Sequence, residues 1–133
     1  MRFMMMMKCG GSLESGHAPP PELMQAIAEA AEKGKKDGSL LSTGGLFHPN
    51  TGARVRADNG KLNGTDGPFA ETKELIGGFA IIEASSREDA IRRGKEFMQI
   101  HINVLGSAYK GEMEIRQMME EPTEATQAAS AKH

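Results

Sequence analysis

Asn59-Gly60 constrains this chain more than any other feature, because it stands between two short stretches that it can only join in one way. A two-residue type I′ turn needs positive φ at both central positions, and Asn followed by Gly meets that need at little cost. The stretches 53–58 and 61–66 are therefore expected to form a hairpin of fixed register. Asp58 then faces Lys61, Arg56 faces Asn63 and Arg54 faces Thr65 on one side. Ala57 with Leu62, Val55 with Gly64 and Ala53 with Asp66 share the other. Asp66 falls at the inward end of the more apolar side, where a carboxylate needs hydrogen bonds or a cation because unpaired burial is costly.

Around this hairpin the hydrophobic pattern supplies the remaining elements. Residues 2–8 form an apolar run between Arg2 and Lys8, as does 76–83, and both read as strands with apolar residues on each face. The methionines of the first run and Cys9 are soft-metal ligand types. Neighbouring strand residues point to opposite faces, however, so Met4 and Met6 cannot join Met5 and Met7 in one coordination sphere, and the run reads as core. A helix is expected over 21–37, opened by Pro21 and ended by Gly38, with an inward stripe of Leu23, Met24, Ile27, Ala28 and Ala31. A short strand follows around Leu40-Leu41. A second helix, capped by Ser85 or Ser86, is expected to run to about 103 on a stripe of Ala90, Ile91, Gly94, Phe97, Met98 and Ile102. Alternation through Met113 and Ile115 marks 112–117 as a half-exposed outer strand.

The resulting order is strand, helix, strand, hairpin, strand, helix, strand. That is a βαββαβ frame with an inserted hairpin, hence a ferredoxin-like α+β sandwich with both helices on one face of the sheet. Two strands apolar on both faces leave the opposite side of that sheet to be covered. A second copy across a two-fold axis is the economical solution, so a homodimer is expected. The chain reads as one domain over 1–120. From 121 to 133 there is little to bury, and a mobile tail is expected.

With 16 Lys plus Arg against 18 Asp plus Glu, the formal charge is only -2 and no global field draws the chain to nucleic acid or an anionic membrane. Basic residues do not cluster and Trp is absent, which leaves few stacking platforms for a nucleic-acid binder. The single cysteine, Cys9, suits a reducing compartment, and the apolar start is too short to span a membrane, so a cytoplasmic location is expected. The expected partners are a second copy and a small molecule.

At the end of the hairpin comes Asp66-Gly67-Pro68-Phe69-Ala70-Glu71-Thr72-Lys73-Glu74, a rigid turn with an aromatic anchor and four charged side chains. Arg54-Val55-Arg56 stands before it, Gly78-Phe79 after it, and Glu114-Ile115-Arg116 near the end. With these in place the chain resembles the DGPF-motif branch of the YCII-related family over roughly residues 1 to 120. The resemblance implies a dimeric α/β barrel of ferredoxin-like protomers, and it implies little biochemistry. In the other branch of that family a His and Asp pair near the first helix is proposed as an acid/base dyad. The first helix here contains no histidine, and His17 precedes it.

Two classes of function fit these residues. In the first, a cleft between sheet and helices is lined by Asp66, His48 and Arg54 or Arg56. His48 and Asp66 exchange protons in an isomerase- or lyase-type reaction without a cofactor, and the arginines fork a carboxylate or phosphate. In the second, His48 is a surface-loop residue, the arginines are the wet side of the hairpin, and Glu71, Lys73 and Glu74 form an ion network that clasps a dimeric scaffold or regulatory module. Glu71 and Glu74 share a face if one helical turn follows Phe69, yet no third ligand lies at useful spacing, so no metal site is expected. His101 falls near the end of the second helix, where a cation favours the dipole, and it reads as a capping residue.

Overall fold

The computed structural model describes residues 1–8, 19–47, 49–67 and 75–120. Strand β1 (Arg2–Lys8) leads to helix α1 (Pro21–Asp37), strand β2 (Leu40–Gly45) and a 3-10 turn at Pro49–Thr51. The hairpin strands β3 (Ala53–Asp58) and β4 (Lys61–Asp66) come next, followed by β5 (Ile76–Glu83), α2 (Arg87–Leu105) and β6 (Glu112–Gln117). Four strands form one antiparallel sheet in the order β2-β5-β1-β6, and β3 with β4 form a separate two-stranded ribbon. This is the ferredoxin-like α+β arrangement, with the most apolar strand, β1, hydrogen-bonded on both sides.

Strand alternation divides the sheet into two unlike faces. Phe3 pairs with Ile82 and Met5 with Ala80, and these side chains meet the helices in a core completed by Ala84 and Ala90. Leu40, Met113 and Ile115 pack around it. Each large apolar side chain buried this way contributes about 1.5–3 kcal/mol. On the opposite face Met4 pairs with Ile81 and Met6 with Phe79, and all four remain half-buried.

Both helices begin and end where their chemistry directs. The amides of Leu23 and Met24 donate to the Pro20 carbonyl, and Gly38 closes α1 at φ 82°, a left-handed value that favours glycine. Next to that cap the Ser39 amide donates to Asp37 at 2.8 Å, and the hydrogen bonds from Ser39 hold the Asp37 carboxyl below its usual pKa. At the start of α2 the Ser86 hydroxyl accepts from the Asp89 amide at 3.0 Å, while Asp89 accepts from the Ser85 amide at 2.9 Å. This reciprocal arrangement satisfies donors that a helix start leaves open.

The buried faces differ in part from those expected. On α1 the side turned inward is Leu23, Ala26, Ile27, Ala30, Ala31 and Gly34, while Met24 and Ala28 are exposed. Gly34 accounts for this rotation, because a Cβ there would stand 2.9 Å from Leu40 Cβ, so α1 reaches β2 along its small residues. On α2 Ile102 is exposed and His101 is buried instead, at 7 % exposure. The His101 ring stacks on Tyr109 at 5.2 Å and meets Phe97 edge-on at 5.0 Å, and its Nδ1 donates to the Phe97 carbonyl at 3.1 Å. A carbonyl only accepts, so Nδ1 carries the proton. His101 is thus packed inside the fold between Phe97 and Tyr109 rather than exposed at the helix end.

Candidate functional site

The hairpin has the register that its turn chemistry dictates, pair for pair from Ala53–Asp66 to Asp58–Lys61. Asn59 and Gly60 take φ values of 51° and 76°, both in the left-handed region that a type I′ turn requires. At the other end the Gly67 amide donates to the Gly52 carbonyl at 2.9 Å and ties the foot of the hairpin. Asp66 therefore stands at a defined point, the last residue of β4.

Its surroundings differ from those expected. Every residue of β3 and β4 is exposed, and Val55 and Leu62, which share Asp66's face, are 75 % and 76 % exposed. Asp66 is thus on the apolar side of the hairpin but is not turned into the protomer's interior. A two-stranded ribbon reaches no core unless a third layer covers it, and β3 and β4 form a sheet separate from the four-stranded one. Arg54 and Arg56 lie together on the opposite side of the hairpin, consistent with their alternation in sequence. His48, Glu71, Lys73 and Glu74 lie outside the described residues, as do His17 and the segment 121–133.

A concave site does lie between sheet and helices, in a different place. A groove of about 670 Å³ runs between α2 and the edge strand β6, and its described lining includes neither Asp66 nor either hairpin arginine. Phe3, Ile91, Met98 and Ile102 form its apolar walls, and Met113 and Ile115 its β6 side. Gly94 sets the helix close to that strand: a Cβ on it would stand 2.7 Å from Ile115 Cδ1 and 3.1 Å from Met113 Sδ. The polar groups are Arg87, Lys95, Gln99 and Gln117, two cations and two amides with no carboxylate. Among the described residues no group of three or more His, Cys, Asp or Glu side chains is placed to hold a metal ion.

The charges along α2 are distributed unevenly about this groove. Arg92 pairs with Asp89 and Glu96, each at 2.7 Å, and Arg93 reaches Asp89 at 3.4 Å. The Ser85 amide first, and then the Arg92 guanidinium, hold the Asp89 carboxyl far below its ordinary pKa. Asp89 and Glu96 are thereby engaged by arginines that do not line the groove, while Glu88 contacts Arg87 at 3.9 Å. Arg87 and Lys95 fall outside the apolar stripe that the sequence predicts for this helix. The available signal was their spacing: Arg87, Ile91, Lys95 and Gln99 recur every four residues, a mixed line beside the apolar stripe. Whether such a line borders a groove depends on how far the helix stands from the strand next to it.

No helix among the described residues is long and apolar enough to cross a membrane. No curated protein matches the chain. The YCII-related domain matches residues 1–104, a span that holds β1 through β5, the hairpin, the Asp66–Glu74 motif and nearly all of α2. A match over that much of the chain, on a ferredoxin-like frame, establishes that the protein belongs to the YCII-related family.

Proposed function

We propose that this YCII-related protein works as a homodimer and binds a small molecule in the groove between α2 and β6. The groove carries the reading, because a volume of about 670 Å³ with apolar walls and a few polar groups is the usual form of a small-molecule site. The dimer is supported by the half-buried face of Met4, Met6, Phe79 and Ile81, an apolar patch at the centre of a sheet whose other face is filled by helices. A formal charge of -2 favours such partners over nucleic acid, and the lone Cys9 favours a reducing compartment such as the cytoplasm. A fragment screen followed by amide and methyl NMR tests the groove. Bound fragments should shift Ile91, Met98 and Ile102, and Ile102→Trp should block them. Fragments that shift only the 53–67 hairpin would refute the assignment.

A second reading rests on the defined position of Asp66. The Gly67–Gly52 hydrogen bond sets this carboxylate at the foot of the hairpin, on the side where Val55 and Leu62 offer an apolar cover to a partner subunit. Enclosed there with His48, Asp66 would serve in cofactor-free proton transfer, with Arg54, Arg56, Glu71, Lys73 or Glu74 holding the substrate. Asp66→Asn separates this from a purely structural motif. Loss of turnover or ligand binding at unchanged thermal stability supports chemistry, whereas lost stability or a weaker dimer supports a non-catalytic clasp.

A further inference from the structure

Resting on the reading of the α2–β6 groove as the ligand site, we propose that its ligand is an amphipathic monoanion, an apolar body carrying one carboxylate that is held at Lys95. The body matches the walls, since Phe3, Met98, Ile102 and Ile115 present only hydrocarbon and thioether to the groove. The carboxylate follows from the charge distribution. On its own helix Glu96 and Asp89 are taken up by Arg92 and Arg93, and Glu88, which shares a shallow depression with Lys95, contacts Arg87. Lys95 has no ion pair or hydrogen bond among the described residues, and no carboxylate is among the described residues lining the groove.

Arg87 strengthens the case from the other end. Its acid contact is with the neighbouring Glu88 at 3.9 Å, between two well-exposed side chains, and such a pair is worth little. Arg87 and Lys95 stand eight residues apart on α2, about 12 Å along the axis, and both side chains are long enough to lean toward a headgroup above Ile91. A cationic ligand would meet two positive charges there, and a neutral one would gain nothing from either. The β6 side of the groove, with Met113, Ile115 and Gln117, lies beyond the residues that the family match covers, whereas Arg87 and Lys95 lie within them.

Titration of the full-length chain with decanoate, decanol and decyltrimethylammonium, all below their micellar concentrations, tests the proposal by calorimetry and methyl NMR. Decanoate should bind about fivefold more tightly than decanol, the advantage of one partly exposed ion pair. Decyltrimethylammonium should bind most weakly. Lys95→Gln, at an exposed position, should reduce decanoate to the affinity of decanol, and Ile102→Trp should abolish binding of both. Equal binding of decanoate and decanol by the native chain would overturn the anion assignment while leaving the groove as a site. Absence of shifts at Ile91, Met98 and Ile102 with any of the three would overturn the groove itself. Nuclear Overhauser contacts between residues 121–133 and Ile102 in the ligand-free chain would make the chain's own C-terminal segment the occupant, and would likewise overturn the proposal.

Discussion

Gly34 and Gly94 offer a controlled comparison of what a single methyl group does in a helix. Each is an interior glycine of a helix, so replacement by alanine gains about 0.5–1 kcal/mol from backbone entropy and propensity at both sites. The packing costs differ. At Gly34 the new Cβ would stand 2.9 Å from Leu40 Cβ, an atom that cannot move without the backbone of β2, and Leu40 itself packs on the core. Ser39 tightens the same place by donating its hydroxyl to the Gly34 carbonyl at 3.5 Å. Overpacking against so rigid a neighbour costs about 1–3 kcal/mol, which exceeds the helical gain. At Gly94 the nearest atoms are Ile115 Cδ1 and Met113 Sδ, near the ends of side chains that can rotate away toward the groove. Gly94→Ala is therefore expected near neutral, and Gly34→Ala about 1 kcal/mol less stable than the native chain. In urea that difference appears as a midpoint lower by about 0.5 M, measured for all three chains at one protein concentration because association shifts apparent stability. A Gly34→Ala variant as stable as the native chain, or more stable than Gly94→Ala, would refute the claim that close approach of α1 to β2 requires glycine.

Asp89→Asn should destabilise the protein at neutral pH. The folded state lowers the carboxyl's pKa from 3.8, so its stabilisation is present above that value and is lost as the pH falls from it toward the folded-state pKa. Urea midpoints of the native and Asp89→Asn chains should converge in acid, and a gap that persists unchanged at low pH would contradict this. Ser86→Ala, which removes the hydroxyl that accepts from the Asp89 amide, should cost about 1 kcal/mol by the same assay. His101→Ala should cost about 2 kcal/mol through the cavity left between Phe97 and Tyr109, and His101→Phe less because a ring remains; equal losses would point to the hydrogen bond rather than the packing. Met6→Asp, at the centre of the uncovered sheet face, should convert the proposed dimer to a monomer in light scattering, and a native chain that is already monomeric would overturn the dimer.

Elements whose signal lies within a few residues were legible in the sequence. The hairpin is the clearest, because Asn59 and Gly60 set the turn and the turn sets every cross-strand pair. The helix ends at Gly38 and Ser86 follow from one residue's φ and one hydroxyl's reach. The central place of β1 beside β5 follows from two runs too apolar to face water on either side. Of the site, Asp66's position at the foot of the hairpin could be read in advance, and its exposure could not.

Secondary structure, register and family thus came from local backbone preference and a specific motif, both of which are written in consecutive residues. Tertiary structure decided which surfaces are covered. It turned α1 onto Gly34 instead of Met24, placed His101 inside, held the hairpin away from the sheet, and opened a groove beside Gly94 and Lys95 that no run of residues announces. The physical reason is that exposure depends on the distance between elements far apart in sequence. That distance is set by the side chains at their closest contacts, as where Gly34 meets Leu40, and by no residue alone.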